Sequence, residues 1–153
     1  LGKKVHEDNF LDKYPLLTFV KIIENIKKKI NPHLIYTHSK YDLNIDHRII
    51  SEATSTAFRP QTNEKWEKIL SFEIPSSTDF SNDFYDSFKP NYFVNIRKFW
   101  NLKMKALNAY KQEIKPKPHS RSFEGIKNLA KLRGNQSGQS FTESFQILRE
   151  IKR

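Results

Sequence analysis

Apolar residues recur at three- and four-residue steps between Pro15 and Ile30. Leu16, Phe19, Val20, Ile23, Ile26 and Ile30 form one stripe, with Lys27 on the outward side. This pattern predicts an amphipathic helix that opens at Pro15, where a missing N–H costs nothing, and stops at Asn31-Pro32. His33 to His38 then reads as a short β-rich strand. A polar run follows, and a second helical pattern covers Asp46 to Phe58, with Ile49, Ile50, Ala53, Ala57 and Phe58 on one side and Arg59-Pro60 as its end. Lys68 to Ile74 reads as another strand, and Pro75-Ser76-Ser77-Thr78 as the polar turn that closes it.

The second half repeats the alternation less clearly. Asp79 to Pro90 is a long polar and aromatic loop, with a β-like piece at Tyr92 to Ile96. Ile96 to Ile114 carries Phe99, Trp100, Met104 or Lys103, Leu107 and Tyr110 in helical register, and Lys115-Pro116-Lys117-Pro118 breaks it. Ser122 is placed to cap a third helix to Leu132, with Arg133-Gly134 as its stop and a polar turn to Gln139. Phe141 to Ile151 fits a final strand. Strand and helix alternate, so the fold class is α/β with a mostly parallel sheet.

Composition narrows the chemistry. The 153 residues suit one domain, and twelve Phe, six Tyr and two Trp supply a packed core. There is no Cys, so neither a disulfide framework nor a thiolate metal site can form, and any zinc would be held by His and carboxylate. No apolar run reaches the roughly 20 residues of a membrane span, and no signal peptide is visible, which makes a cytoplasmic protein the default. The net charge of +10 raises nucleic-acid binding. The basic groups are dispersed among acidic residues, however, and Lys27-Lys28-Lys29 reads as the solvated face of a helix, so no nucleic-acid partner is expected.

The chemistry concentrates between Thr37 and Arg48. His38, Asp42, Asn44, Asp46 and His47 fall between the end of a strand and the start of a helix, where open α/β sheets bind ligands. Asp42-x-Asn44-x-Asp46 has the opening of an EF-hand loop, but His47 and Ala53 stand where that loop needs Gly and Glu, which rejects calcium. Two readings of the pair at the helix start stay open. His47 projects into the crevice as a metal ligand with Asp46 tuning the site, or Asp46 caps the helix and His47 is an exposed first-turn side chain.

Tyr41-Asp42-Leu43-Asn44-Ile45-Asp46-His47-Arg48, with Glu52-Ala53 beyond, resembles the second signature of the LmbE-like, or GlcNAc-PI de-N-acetylase, family. Leu1-Gly2 through Asp8-Asn9-Phe10 and Asp12 resembles the family's segment between its first two motifs, and Ser71 to Thr78, Phe88 to Asn91, Lys103 to Tyr110, Pro118 to Ser122 and Glu143 to Phe145 resemble later landmarks in order. The resemblance implies a Rossmann-like three-layer αβα sandwich and a zinc-dependent hydrolase that removes the acetyl group from N-acetylated amino sugars. It also implies that His47 is a metal ligand, that Asp46 and His119 are catalytic, and that Asp42, Asn44 and Arg121 contact substrate. Asn44 stands where many members carry a His that helps the oxyanion. For His119 an ordinary loop position after Pro118 is the competing reading.

One departure dominates. The His-Pro-Asp-Asp-Glu run that supplies two further zinc ligands and the general base in that family does not occur in this sequence. The first residue is Leu rather than Met. The expectation is therefore a C-terminal portion whose first strand and helix lie upstream, inactive alone, binding zinc weakly, and prone to form homo-oligomers through the faces left open. The competing class is a non-catalytic carbohydrate-binding or structural module that kept the fold, using the aromatic loop of Phe80, Phe84, Tyr85 and Phe88.

Overall fold

The computed structural model describes residues 10–81 and 87–152. The landmarks at Leu1 to Asn9, and Phe84 and Tyr85 of the aromatic loop, lie outside the described residues. Four helices and four strands follow in the order α1 (Leu16–Ile30), β1 (Leu34–His38), α2 (Ile45–Ala57), β2 (Lys68–Phe72), β3 (Tyr92–Asn95), α3 (Trp100–Ala109), α4 (Phe123–Ser137) and β4 (Thr142–Glu150).

The first half follows the apolar pattern closely. Asn31 takes a left-handed conformation and donates its N–H to Lys27 O, which ends α1. Phe19 and Val20 of α1, Ala53 and Ala57 of α2, and Ile35 and Ile69 of the sheet bury one core with Phe58 and Trp66. Ala at positions 53 and 57 lets the two helices approach closely. Lys27 is not a solvated residue as its sequence context suggests. Its ammonium donates to Ala57 O (2.8 Å) and pairs with Glu64 (2.7 Å), a cation at the negative end of α2.

The sheet is mixed, in the order β1-β2-β4-β3. β1 and β2 run parallel, whereas β4 is antiparallel to both β2 and β3, so three of the four strands point one way and the sheet is mixed rather than parallel throughout. An apolar run is the same read in either direction, and strand polarity is decided by which end of the sheet the preceding helix returns to. Side chains alternate along strands. Ile35, Thr37 and Ile69 therefore face α1 and α2, while Leu34 and Tyr36 on the other side of β1 stay 43% and 51% exposed.

The second half departs more. The helical register of 96–114 breaks into a 3-10 turn at Arg97–Phe99, the ten residues of α3, and another 3-10 turn at Lys111–Glu113. α3 stacks Trp100 on Phe141 and pairs Lys103 with Glu143, whereas α4 meets the alternate residue Thr142 through Ser137. Ser122 caps α4 by accepting the Gly125 N–H (3.0 Å), as its position predicts. The stop at Gly134 is corrected: α4 runs on to Ser137 and ends at the left-handed Gly138. Gly134 is needed there because a Cβ would lie 2.5 Å from Gln139 O. Among the described residues, no helix is long and apolar enough to cross a membrane.

Candidate functional site

The site is assembled where β1 and β2 end. After His38 the chain turns through Ser39, whose buried hydroxyl accepts the Tyr41 N–H (3.1 Å). Asp42 then accepts the Asn44 N–H (2.9 Å), and Asn44 in turn accepts the Asp46 N–H (2.9 Å) as the cap of α2. Arg48 reaches back from the first turns of α2 to the carbonyls of Asp42 (2.8 Å) and Leu43 (2.7 Å). These bonds hold the six-residue polar connection from Ser39 to Asn44 in one conformation and set His47 in the first turn of a helix.

His47 is fixed on two sides. Its ring stacks on His38, with centroids 4.4 Å apart and planes at 23°. Its Nδ1 lies 3.1 Å from Asp42 Oδ1, with the His47 side chain 23% exposed and the Asp42 side chain 0%. The ring therefore sits against the strand end, with its Nδ1 edge inward and an open remainder. His38 packs its other neighbour, Phe72 at the end of β2, at 5.0 Å.

Asp42 is the centre of the arrangement. Beside the Asn44 N–H and His47, its Oδ1 accepts the Ser77 hydroxyl and its Oδ2 the Thr78 hydroxyl (2.9 Å). Burial alone would raise its pKa, yet the bonds from Ser77, the Asn44 backbone, His47 and Thr78 outweigh burial and hold the carboxyl below its ordinary range. Burial, with help from neighbouring His47 and against the pull of Asp42, lowers the pKa of His38 to about 4. The two groups at the base of the site are thus an anionic carboxylate and a neutral imidazole at pH 7.

The predicted site residues separate into two groups. Asp42, Asn44, Asp46 and His47 are brought together, but with changed partners. The carboxylate beside His47 is Asp42, which is buried beneath the imidazole. Asp46 uses its Oδ1 to accept the Leu11 N–H (3.1 Å) from the 3-10 turn before α1. His119 and Arg121 lie on the connection before α4. His119 Nδ1 accepts the Arg121 N–H (3.0 Å), and its ring meets Phe80 at 6.2 Å. Arg121 pairs with Glu113 (2.9 Å).

Ser77 and Thr78 join the candidate site through contacts that the sequence hides. Ser76 to Thr78 reads as a polar turn, which it also is: Thr78 Oγ1 accepts the Ile74 N–H (2.8 Å). The available signal is the position of three consecutive hydroxyl residues at a strand end level with His38.

No protein-family model matches the chain, and no curated protein matches it either. Its fold is shared with solved structures. A conserved protein of Thermus thermophilus, TT1542, matches over 96% of this chain and 64% of its own, with a TM-score of 0.70 and 19% identity. The N,N'-diacetylchitobiose deacetylase of Pyrococcus horikoshii matches over 94% and 55%, with a TM-score of 0.66 and 21% identity. The 4-carboxy-2-hydroxymuconate hydratase GalB of Pseudomonas putida matches over 90% and 60%, with a TM-score of 0.66 and 16% identity. This chain therefore spans between half and two thirds of each of these proteins, and what it has in common with them is an α/β fold that hosts both a deacetylase and a hydratase.

Proposed function

We propose that this chain carries the His47 side of a hydrolase that removes the acetyl group from an N-acetylated amino sugar. The observation that carries the reading is an imidazole anchored by a buried carboxylate at the end of a parallel strand, His47 on Asp42. Two further supports are the resemblance of residues 41–48 to the LmbE-like signature and the fold shared with a chitobiose deacetylase.

The local chemistry is coherent with that activity. An anionic Asp42 keeps the proton of a neutral His47 on Nδ1, which leaves the Nε2 lone pair for a metal or a proton. His119 has the opposite tautomer, because its Nδ1 accepts from Arg121, so its neutral ring carries a proton on Nε2. Such a group suits protonation of a departing amine. Asp46 steadies the helix that presents His47, and Asn44 takes the cap position at the mouth of the same turn.

Zinc, where bound, would polarise the acetyl carbonyl and acidify a water. Among the described residues, no group of three His, Cys, Asp or Glu is placed to hold a metal, whereas a catalytic zinc takes about three protein ligands. These residues therefore do not fit the ion by themselves, and in this reading the activity requires a longer chain that also contains the His-Pro-Asp-Asp-Glu run.

Acetate release from N-acetylglucosamine and from its glycosides, with added zinc, tests the reading. The 153-residue chain is expected to release none and to retain well under one zinc after dialysis. A longer product of the same gene is expected to release acetate, and His47→Ala to abolish that release. Undiminished turnover in His47→Ala removes His47 from the reaction. The lack of a three-donor group among the described residues also favours a second reading, a carbohydrate-binding module that kept the fold. That module would bind N-acetylglucosamine oligomers equally well with His47→Ala, and no longer product would release acetate.

A further inference from the structure

A cavity of about 380 Å³ lies beside the site, between α3, α4 and the end of the sheet. Its apolar wall is formed by Phe72, Leu107, Ile114, Ile126, Leu129 and Ala130. Phe72 is shared: its ring packs against His38 at 5.0 Å and the residue also lines the cavity, which places the cavity next to the His38–His47 pair.

The charged residues at the rim cancel in pairs. Lys103 is bound to Glu143 (2.6 Å), Arg121 to Glu113 (2.9 Å) and Arg133 to Glu73 (2.8 Å). With three cations matched to three carboxylates, the wall offers no net attraction for an ionic ligand. One polar donor is left over. Arg121 Nε is buried and has no acceptor among the described residues, and a buried donor without a partner is rare enough to require a reason. An apolar wall, neutral rim and one unanswered N–H together describe a ligand that is a hydrocarbon chain ending in a neutral acceptor.

We propose that this cavity is a binding site for a medium-length acyl chain, with the acyl carbonyl on Arg121 Nε and the hydrocarbon against Phe72, Leu107 and Leu129. At about 30 Å³ per small-molecule heavy atom, taking water as the yardstick, the space suits roughly a dozen non-hydrogen atoms, an acyl group of about eight to ten carbons. The substrate class is then an amino sugar that carries such a chain. That last step rests on the amino-sugar reading above, whereas the chain preference of the cavity does not.

Calorimetric titration of the chain with octanamide, acetamide and octanoate tests the cavity without any sugar. Octanamide is expected to bind at least about tenfold more tightly than acetamide, the preference expected when several methylenes leave water after the cost of ordering the chain. It is also expected to bind more tightly than octanoate, because the rim is neutral. Leu107→Trp, placed on the half-buried α3 wall, should erase the preference. Arg121→Lys keeps the charge and lacks the Nε–H, so it should weaken octanamide about fivefold, the value of one hydrogen bond, without affecting a pure hydrocarbon probe such as N-phenylnaphthylamine. Equal binding of octanamide and acetamide overturns the site, as does an unaltered preference in a Leu107→Trp protein whose circular dichroism is native. Octanamide binding that N-octanoylglucosamine does not improve upholds the cavity while counting against the amino sugar.

Discussion

Ser77 donates its hydroxyl to the carboxylate of Asp42, joining the loop after β2 to the loop after β1. The return contact is the Leu43 N–H on Ser77 O (3.2 Å), so the two strand ends are tied through backbone and side chain at once. His47 depends on this tie, because the carboxylate that orients it is itself oriented by Ser77 and Thr78.

Ser77→Ala removes one of the donors that answer the buried Asp42 charge. Asn44 and Thr78 remain, so the expected loss is about 1–2 kcal/mol of unfolding free energy, read by urea denaturation. Asp42→Asn is expected to cost more, about 2–4 kcal/mol, because an amide places an NH2 group against donors and gives up the charge that four groups were arranged to meet. In that variant the His47 ring should also lose its fixed orientation, visible as averaging of its ring resonances by NMR. Equal stabilities of Asp42→Asn and the native chain would remove Asp42 from the centre of the site.

Gly125 occupies the first turn of α4, where Ala would ordinarily stabilise a helix by about 1 kcal/mol. Here a Cβ would lie 2.4 Å from Ser120 O and 2.9 Å from His119 O, both backbone atoms of the connection that carries His119 and Arg121. The clash should outweigh the propensity, giving Gly125→Ala a net loss of about 1–3 kcal/mol. The thermal midpoint of the variant measures the sign directly. A stabilised Gly125→Ala would mean that the connection shifts freely, and that His119 and Arg121 are not held where α4 begins.

Much of the first half was legible before any coordinates. The stripe from Leu16 to Ile30, the strand ending at His38 and the helix carrying His47 all follow from local apolar period and turn residues, and they appear within a residue or two of expectation. The crowding of His38, Asp42, Asn44, Asp46 and His47 was legible as a site for the same reason. What the sequence hid are relations across long separations. That Asp42 rather than Asp46 serves His47 depends on a turn conformation. That Ser77 and Thr78 complete the site depends on β2 lying next to β1, and the antiparallel return of β4 depends on where α4 sends the chain. Gly134 misled as a helix stop because glycine also serves where another backbone crosses closely, and only the position of Gln139 tells the two apart.

Lys27 tests whether a residue that reads as solvated face contributes to the fold. Its ammonium has two partners, Ala57 O and Glu64, and the ion pair is largely buried on both sides, with side-chain exposures of 15% each. Lys27→Met keeps the stem against Phe58 and removes the charge, leaving Glu64 unanswered. The expected cost is about 1–2 kcal/mol, compared with about zero for Lys28→Met or Lys29→Met, which neighbour it on the exposed side. Urea denaturation of the three variants side by side separates the cases, and equal effects would return Lys27 to the surface.

His38 makes the site sensitive to acid. In the unfolded chain its imidazole takes up a proton near 6.5, whereas burial beside His47 and Phe72 delays this in the folded chain to about 4. Between those values the unfolded state binds the proton and the folded state does not, so stability is complete above the upper value and is lost progressively down to the lower one. The full interval is worth about 3 kcal/mol, and the partial exposure of the ring reduces the expected loss to about 2 kcal/mol. Asp42, whose pKa is also lowered, contributes in the same direction but further into acid, through and below the ordinary carboxylate range. Urea midpoints measured from pH 7 to pH 4 should therefore fall steadily, with the largest part of the fall above pH 4 assigned to His38. His38→Phe keeps a ring between His47 and Phe72 and cannot titrate, so its profile should be flatter over the same range. A native chain that is equally stable at both ends of that range would show that His38 protonates freely in the folded state, and that the stacked pair is open to water.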